Sequence, residues 1–225
     1  MDSGRKIKAI ILDFDGTIVR LFEKYNLDKT KEKLRSSLCQ YGVDFSLSQD
    51  CFEIFNSIST QLACCIDRKN AALELANEII VSAECEAIYT GIEVNGFLRF
   101  LSECKRNGML IGIASNNSVD CIVHYLEQKG VSLDIPIAGR DVFHVERMKP
   151  NPSTIIQIMH SLDVNIDDTV FVGDAVTDYF CAKQLGMRFI GMVPTDRKRY
   201  RLKNECSGVQ LVQDFDELSS LTIIK

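Results

Sequence analysis

The hydrophobic residues of the chain follow two spacings, one typical of buried strands and one typical of helices. The run at 7–12 (IKAIIL) is short and mostly apolar, and it stops at an acidic segment that contains glycine. Strands of a parallel sheet are covered on both faces and therefore read as apolar runs without strict alternation. The first element is thus predicted to be a buried parallel strand.

Between residues 20 and 89 the hydrophobic side chains recur three and four positions apart, as on one face of a helix. Three groups show this spacing: Leu34, Leu38 and Tyr41; Phe52, Phe55, Ile58 and Leu62; and Leu73, Ala76, Ile79, Ile80 and Ala83. Comparable strand signals are missing between them. This pattern predicts an all-helical block, roughly 70 residues long, inserted after the first strand.

From Gly91 onward, predicted helices alternate with predicted strands. The helices cover 94–107, 119–130, 152–162, 175–185 and 216–221, and the strands cover 109–114, 135–138, 169–172, 188–193 and 209–212. Strands that alternate with helices of ten or more residues are typical of βαβ units. The predicted fold class is therefore α/β, with a Rossmann-like parallel sheet that carries the helical insertion.

Charge and hydropathy exclude several classes of function. The formal net charge of −5 over 225 residues argues against a general nucleic-acid binder. The basic run at 197–203 could form a local positive patch, or it could be a solvated loop or helix face. Apolar stretches stay well short of the roughly 20 residues that span a bilayer, and polar residues 1–8 do not resemble a secretory signal. We therefore expect no membrane association and a cytoplasmic location.

The cysteines are odd in number and include no CxxC pair: Cys39, Cys51, Cys64, Cys65, Cys85, Cys104, Cys121, Cys181 and Cys206. Most lie inside apolar helical patterns. Reduced thiols that act as small buried hydrophobic groups account best for this distribution. A zinc site is the alternative, but the spacing does not favour it.

Four candidate loops carry polar residues suited to catalysis, and three of them directly follow predicted strands. Their sequences are DFDGT (13–17), ASNN (114–117), MKP (148–150) and GDAVTD (173–178). In an open parallel sheet, ligands bind beyond the carboxyl ends of the strands. The first and fourth loops would bring Asp13, Asp15, Asp174 and Asp178 to one edge, where the like charges require protonation or a cation. Oxygen ligands suit Mg²⁺.

The same edge would also stabilise a transferring phosphoryl group. Lys149 adds a positive charge, Ser115 a hydroxyl, and the turns at Gly16 and Asn116 supply backbone N–H donors. Asp13 and Asp15 can have different roles: one carboxylate attacks phosphorus, and the other donates and accepts protons as a general acid/base. The alternative for such a DxD pair is that both aspartates only cap a turn.

Together, DFDGT, ASNN, MKPNP and GDAVTD resemble, in order, the four motifs of the haloacid dehalogenase superfamily. The resemblance covers nearly the whole chain. It implies a core domain formed by residues 1–19 and 90–225, with residues 20–89 as a helical cap of the C1 type. It also implies a phosphoryl-transfer member, with a phosphatase favoured, because the dehalogenases of the superfamily lack an acid at the position of Asp15.

The resemblance further assigns a role to each motif residue. Asp13 would be the nucleophile and a Mg²⁺ ligand, and Asp15 the general acid/base and a ligand through its backbone carbonyl. Ser115 and Lys149 would be catalytic, with Ser115 also binding the phosphoryl group. Asp174 would bind Mg²⁺ directly, and Asp178 would act through water or by holding Lys149. The residues expected to contact substrate also include Gly16, Thr17, Asn116 and Arg20.

Arg20 marks a departure from part of the superfamily. Members similar to phosphoglycolate phosphatase often continue the first motif with Asp-Ser, whereas this chain reads IVRL at 18–21. The departure weakens any assignment to phosphoglycolate. Arg20 is expected to lie at the cap hinge, where it either meets an anionic group or remains a surface arginine.

The sequence leaves three functions open. Hydrolysis of a small phosphorylated metabolite is favoured, by a monomer or homodimer. A sugar phosphomutase would use the same nucleophile, and a catalytically silent binding module could share the fold. His124 and His160 lie in helical patterns and His144 near Lys149, but Asp15 already fills the acid/base role.

Overall fold

The structure is a computed structural model that describes residues 7–46, 50–132 and 134–221, without the side chains of Cys51 and Phe52. Within these residues, six parallel strands form one sheet in the order β5-β4-β1-β6-β7-β8. They are β1 (Ala9–Leu12), β4 (Leu110–Ala114), β5 (Ile137–Ala138), β6 (Thr169–Gly173), β7 (Arg188–Met192) and β8 (Gln210–Val212). The predicted α/β class and the Rossmann-like parallel sheet are confirmed.

Helices follow the strands of the second part of the chain and cover the sheet. They are α4 (Phe97–Arg106), α5 (Val119–Gln128), α6 (Ser153–Leu162), α7 (Val176–Leu185), α8 (Asp196–Glu205) and α9 (Phe215–Ser220). Strand β1 is central, and all four of its residues are buried. Ile10 and Leu12 pack into the cluster on one face, and Ile11 packs into the cluster on the other. Cover on both faces explains why this strand is an unbroken apolar run.

Between β1 and β4 the chain forms an all-helical insertion. Its helices are α1 (Leu27–Leu38), α2 (Cys51–Gln61) and α3 (Ile66–Ala87). Their buried side chains form a hydrophobic cluster of their own, which also takes in Val145 and Met148 from the segment after β5. The insertion therefore has a separate core that rests on the main domain near Lys149.

Two short strands connect the insertion to the part of the chain that forms the main sheet. Strand β2 (Val19–Arg20) pairs antiparallel with β3 (Ile92–Glu93), and the N–H of Val94 donates to the carbonyl of Ile18. This pairing explains why the first helix after the insertion begins at Phe97, although the hydrophobic pattern predicted a start at 94. Strands of two residues are too short to show a period, so the sequence did not predict them.

The remaining sequence expectations are met in part. The basic run at 197–203 lies within α8, as a helix. Four cysteines are buried, but Cys39, Cys64 and Cys65 are exposed, so the prediction of buried thiols was wrong for these three. They lie near the ends of the inserted helices, where the polar face meets solvent. The side chain of Cys51 and the polar residues 1–6 lie outside the described residues. None of the described helices combines the length and apolarity that crossing a membrane requires.

Candidate active site

The order of the strands brings the polar loops together. Asp13 directly follows β1, Ser115 directly follows β4, and Asp174 directly follows β6. Strands β4 and β6 both pair with β1, and all three run parallel. Their carboxyl ends therefore meet at one edge of the sheet, and the three side chains share one site.

Asp13 lies at the centre of this site and is 4% exposed. Its Oδ1 accepts a hydrogen bond from the Nζ of Lys149 at 2.5 Å and another from the Oγ of Ser115 at 3.0 Å. Its Oδ2 has a weaker partner, the Oγ1 of the buried Thr17 at 3.5 Å. One carboxylate oxygen is thus held firmly, while the other remains available to react.

Lys149 is buried between two carboxylates. Its Nζ also donates to Oδ1 of Asp178 at 2.6 Å. Burial by itself lowers the pKa of Lys149, but the charges of Asp13 and Asp178 outweigh burial and raise the pKa well above its ordinary value. The lysine is therefore a permanent cation in the site.

Asn116 holds the loop that carries Lys149. Its side-chain Oδ1 accepts from the backbone N–H of Lys149 at 2.8 Å, and its Nδ2 donates to the Lys149 carbonyl at 3.2 Å. Both ends of this amide are therefore engaged within the protein. The side chain of Asn116 therefore positions Lys149, and the predicted contact of Asn116 with substrate remains a prediction.

Asp174 faces the other side of the cluster, 3% exposed. Gly16 lies directly against Asp174. Gly16 has φ +90°, and a Cβ added to it would fall 1.9 Å from Oδ2 of Asp174. Burial raises the pKa of Asp174 to about 8, and the charges of Asp13 and Asp178 act in the same direction. Lys198 forms an ion pair with Oδ2 of Asp174, which opposes this rise.

Lys198 is a site residue that the sequence pattern did not reveal. It lies on α8 in the basic run, and its side chain turns inward from the first turn of the helix to reach Asp174. Burial lowers the pKa of Lys198, but the Asp174 carboxylate outweighs this and raises it. Nothing in the sequence separates Lys198 from its neighbours Arg197 and Arg199. The signal would have been the position of the run just after β7.

The carboxylates fit a hard divalent cation. Oxygen atoms of Asp13, Asp174 and Asp178 lie within 4.8 Å of one another, and all three residues are buried. Among the described residues, Oδ2 of Asp174 is held by Lys198 alone, as an ion pair. Both oxygens of Asp178 already accept hydrogen bonds, from Lys149 and from the N–H of Ala175. Asp13 and Asp174 therefore offer the more available ligand atoms.

Asp15 is close to this cluster but is held differently. Its Oδ1 accepts from the N–H of Leu21 at 2.8 Å. Burial raises the pKa of Asp15 to about 6; the Leu21 hydrogen bond lowers it and the charge of Asp13 raises it. A carboxyl with a pKa near neutrality can both donate and accept a proton, as an acid/base catalyst must.

Arg20 lies in the hinge strand β2 and forms an ion pair with Glu23 at 3.4 Å. It does not line the cavity over Asp13. It lines a neighbouring cleft, together with Asp15, Gly16 and Asp174 and with Arg197 and Lys198 of α8. The predicted contact of Arg20 with substrate remains a prediction.

A cavity of about 390 Å³ opens above Asp13. Its floor is formed by the acidic and basic residues of the sheet edge, and its roof comes from the insertion, with Leu27, Leu34 and Ile54 among the lining residues. Glu84 and Arg140, which no sequence motif singled out, also line it. The three histidines do not line it. His144 pairs with Asp141, and His124 contacts Tyr89 and Gln128.

Comparison with known proteins agrees with this architecture. The family described as haloacid dehalogenase-like hydrolase matches residues 10–192. YhcW of Bacillus subtilis (strain 168), named as a candidate phosphatase, is 24% identical over 215 residues, which cover 93% of this chain and 90% of YhcW.

Solved structures show the same fold. CbbY from Rhodobacter sphaeroides, in complex with phosphate, superposes with a TM-score of 0.66 at 21% identity, covering 97% of this chain and 99% of CbbY. A protein from Clostridium acetobutylicum, described as a predicted phosphatase, superposes with a TM-score of 0.65 at 18% identity, covering 95% and 96% of the two chains. The chain belongs to the haloacid dehalogenase-like hydrolase family.

Proposed function

We propose that this protein is a Mg²⁺-dependent phosphatase that hydrolyses a small phosphate monoester through an aspartyl-phosphate intermediate. The observation that carries the proposal is the buried Asp13, held by Lys149 and Ser115 through one oxygen, with Asp174 beside it. Membership of the hydrolase family supports the same class of reaction. A buried carboxylate beside a fixed cation and a hydroxyl donor is equipped to attack phosphorus.

The chain's own residues account for both steps. In the first step Oδ2 of Asp13 attacks phosphorus, the ester P–O bond breaks, and Asp15 gives its proton to the leaving oxygen. In the second step Asp15 takes a proton from water, the water oxygen attacks phosphorus, and the bond between Asp13 and phosphorus breaks. Lys149 and Ser115 stabilise the charge on the phosphoryl oxygens.

Mg²⁺ would be held by Asp13, Asp174 and the backbone carbonyl of Asp15, with Asp178 acting through Lys149. When bound, the cation would neutralise negative charge shared by the carboxylates and the phosphoryl group. Two observations support this assignment: among the described residues Oδ2 of the buried Asp174 is held only by the Lys198 cation, and the carboxylates approach one another closely.

We also propose that residues 20–89 act as a cap over a core formed by residues 1–19 and 90–225. The separate hydrophobic cluster of the insertion and the β2–β3 pair at its base support this division. A roof over the cavity would exclude bulk water and large substrates. Arg20, at the base of the cap, would meet an anionic part of the substrate.

A solved structural neighbour supports a proposal for the chemical class of the substrate. CbbY has been crystallised in complex with phosphate and, as a variant, in complex with xylulose-(1,5)bisphosphate. Together with the cavity of about 390 Å³, this favours a small phosphorylated metabolite such as a sugar phosphate.

A panel of phosphorylated metabolites, assayed for released phosphate with Mg²⁺ and with EDTA, tests the proposal. We expect hydrolysis of at least one small ester with Mg²⁺, loss of activity in EDTA, and recovery when Mg²⁺ is restored. An isomerised sugar phosphate without free phosphate would instead identify a mutase. Tight binding of an ester without any turnover would identify a binding module.

A further inference from the structure

Glu84 is a buried carboxylate on α3 of the insertion, and it accepts five hydrogen bonds. Its Oε1 accepts from Nη1 of Arg140 at 2.8 Å and from Nδ2 of Asn117 at 3.1 Å. Its Oε2 accepts from Nη2 of Arg140 at 3.2 Å and from the N–H and Oγ of Ser118 at 3.2 and 2.7 Å. Every donor belongs to the sheet domain, although Glu84 itself belongs to the insertion.

Arg140 is equally buried, and it ties the insertion to the loop after β4. The exposed fractions of its side chain and that of Glu84 are 1% and 2%. Its Nε donates to Asn77 of α3, and its guanidinium stacks 5.2 Å from the ring of Phe55 in α2. Its Nη1 also donates to the carbonyl of Asn116 at 3.0 Å. A buried ion pair is costly unless its hydrogen bonds are satisfied, and here they largely are.

A chain of hydrogen bonds runs from Glu84 to the nucleophile. Because Nδ2 of Asn117 donates to Glu84, its Oδ1 is turned toward Ser115 and accepts from Oγ at 3.0 Å. The backbone N–H of Asn117 also donates to that Oγ at 3.3 Å. Ser115 Oγ in turn lies 3.0 Å from Oδ1 of Asp13. Glu84 therefore fixes which end of the Asn117 amide faces Ser115.

We propose that Glu84 and Asn117 are positioning residues. Through these two residues, the position of the helical insertion orients the Ser115 hydroxyl for phosphoryl transfer. This inference rests on the proposed phosphatase function. The Ser115 hydroxyl has one proton and two acceptors, Asp13 and Asn117. Small changes in its orientation therefore alter its hydrogen bond to a phosphoryl oxygen. Misplacing a group in the reacting geometry can cost about 100-fold in rate.

The test compares two variants that touch the same carboxylate. Asn117→Ala cuts the link between Glu84 and Ser115 but leaves the Glu84–Arg140 ion pair intact. Ser118→Ala is the matched control, because it removes a donor to Glu84 on a branch that does not lead to Ser115. We expect Asn117→Ala to lower kcat by about 10- to 100-fold with little change in KM. Ser118→Ala should keep kcat and lower Tm, because Ser118 also caps α5.

Glu84→Gln keeps the shape of the side chain and tests the residue at which the chain of hydrogen bonds begins. It should lower both kcat and Tm, because it removes the charge that Arg140 requires and disturbs the orientation of Asn117. An equal loss of kcat in Asn117→Ala and Ser118→Ala, or wild-type kcat in Asn117→Ala, would overturn the inference.

Binding of orthovanadate in the presence of Mg²⁺, followed by calorimetry, gives a readout that does not depend on turnover. We expect about tenfold weaker binding in Asn117→Ala and unchanged binding in Ser118→Ala. Unchanged vanadate binding in both variants, with an active wild-type enzyme, refutes the positioning role and leaves the proposed phosphatase function in place. A wild-type protein that neither binds vanadate nor hydrolyses any ester rejects the proposed function and this inference with it.

Discussion

At the residue scale, the site is a balance of buried charges. One carboxylate oxygen from each of Asp13, Asp174 and Asp178 lies within 4.8 Å of the other two, and two lysines form ion pairs with these residues. Lys149 is held by Asp13 and Asp178, while Lys198 reaches Asp174 from α8. Each carboxylate is paired with a neighbouring lysine. Substitutions that change one charge should therefore affect turnover, Mg²⁺ binding and unfolding to different extents.

Asp13→Asn should abolish turnover while the protein remains folded. The substitution keeps the shape of the side chain, and Lys149 retains its contact with Asp178. Loss of a nucleophile lowers kcat by roughly 10⁴-fold or more. Phosphate release and thermal unfolding, measured on the same preparation, check both parts. Substantial turnover by a folded variant would remove Asp13 as the nucleophile.

Lys198→Gln should tighten Mg²⁺ binding, because the lysine and the cation compete for the Asp174 carboxylate. We expect a dissociation constant for Mg²⁺ several-fold lower than that of the wild-type protein. Arg197→Gln is the matched control, since it removes the same charge from an exposed neighbour on α8. Calorimetric titration measures both. Equal or weaker binding in Lys198→Gln would show that the two cations do not compete.

The affinity for Mg²⁺ should rise with pH. The raised pKa of Asp174, about 8, means that metal binding at lower pH must release a proton. Below pH 8 the affinity should therefore increase by up to roughly tenfold per pH unit, and it should level off above pH 8. Calorimetry at several pH values in buffers of different ionisation enthalpy detects the released proton. A flat profile between pH 6 and 8 would argue against a protonated Asp174.

The same shift predicts the stability of the metal-free protein. Since the folded pKa of Asp174 lies above the ordinary value of 3.8, folding disfavours its charged form. This group therefore removes stability as pH rises from about 4 to 8, and Mg²⁺ should raise Tm more at pH 8 than at pH 6.

At the element scale, the turn after β1 decides how closely the loops approach. Gly16 has φ +90°, and its missing side chain leaves room for Asp174. The first and fourth motifs therefore meet at van der Waals distance because one of them has no Cβ at this position. The hinge strands β2 and β3 then carry the chain away into the insertion and back again.

Gly16→Ala should abolish Mg²⁺ binding and destabilise the protein by more than backbone strain alone. Gly108→Ala is the matched control, because Gly108 also has positive φ (+67°), but a Cβ added there would meet no described atom within 4 Å. The control should lose about 1 kcal/mol of unfolding free energy and keep its response to Mg²⁺. Denaturant unfolding with and without Mg²⁺ measures both. A normal Mg²⁺ response in Gly16→Ala would show that the close approach is not required.

The elements themselves were largely predictable. Every strand of the main sheet and the helices other than α8 follow from apolar runs and helical spacing, because these elements bury long, regular faces. The two-residue strands β2 and β3 show no period of their own and form only because they pair with each other. Helix α8 is strongly polar, so its hydrophobic pattern gave no clear signal.

At the scale of the whole molecule, the sheet and the insertion line one cavity. The sheet provides the reactive floor, and the insertion provides the roof, where Leu27, Leu34 and Ile54 line about 390 Å³. The two parts are joined by the buried Glu84–Arg140 ion pair and by Val145 and Met148, which pack into the core of the insertion. Under the proposed function, both parts together would set the size of the substrate.

The insertion above the cavity predicts selection against large substrates under the proposed function. We expect kcat/KM for the best small phosphate ester to exceed that for a phosphopeptide by on the order of 100-fold or more. Leu27→Ala, which trims a partly exposed residue of the roof, should narrow this ratio by opening the cavity. Steady-state kinetics with both substrates measure it. Equal efficiency on the two substrates would contradict selection by the size of the cavity.

The sequence by itself determined the α/β class, the place of the helical insertion and the identity of the motif residues. Hydrophobic periodicity is a local property, and the motifs lie in short contiguous segments. Only the tertiary structure decided that Lys198 reaches Asp174 and that Asn116 holds Lys149. The same is true of the hydrogen bonds that connect Glu84 to Ser115 through Asn117. These contacts join residues far apart in the chain, and tertiary packing, such as that of α3 against α5 and of α8 against α7, brings them together. No local pattern encodes this packing.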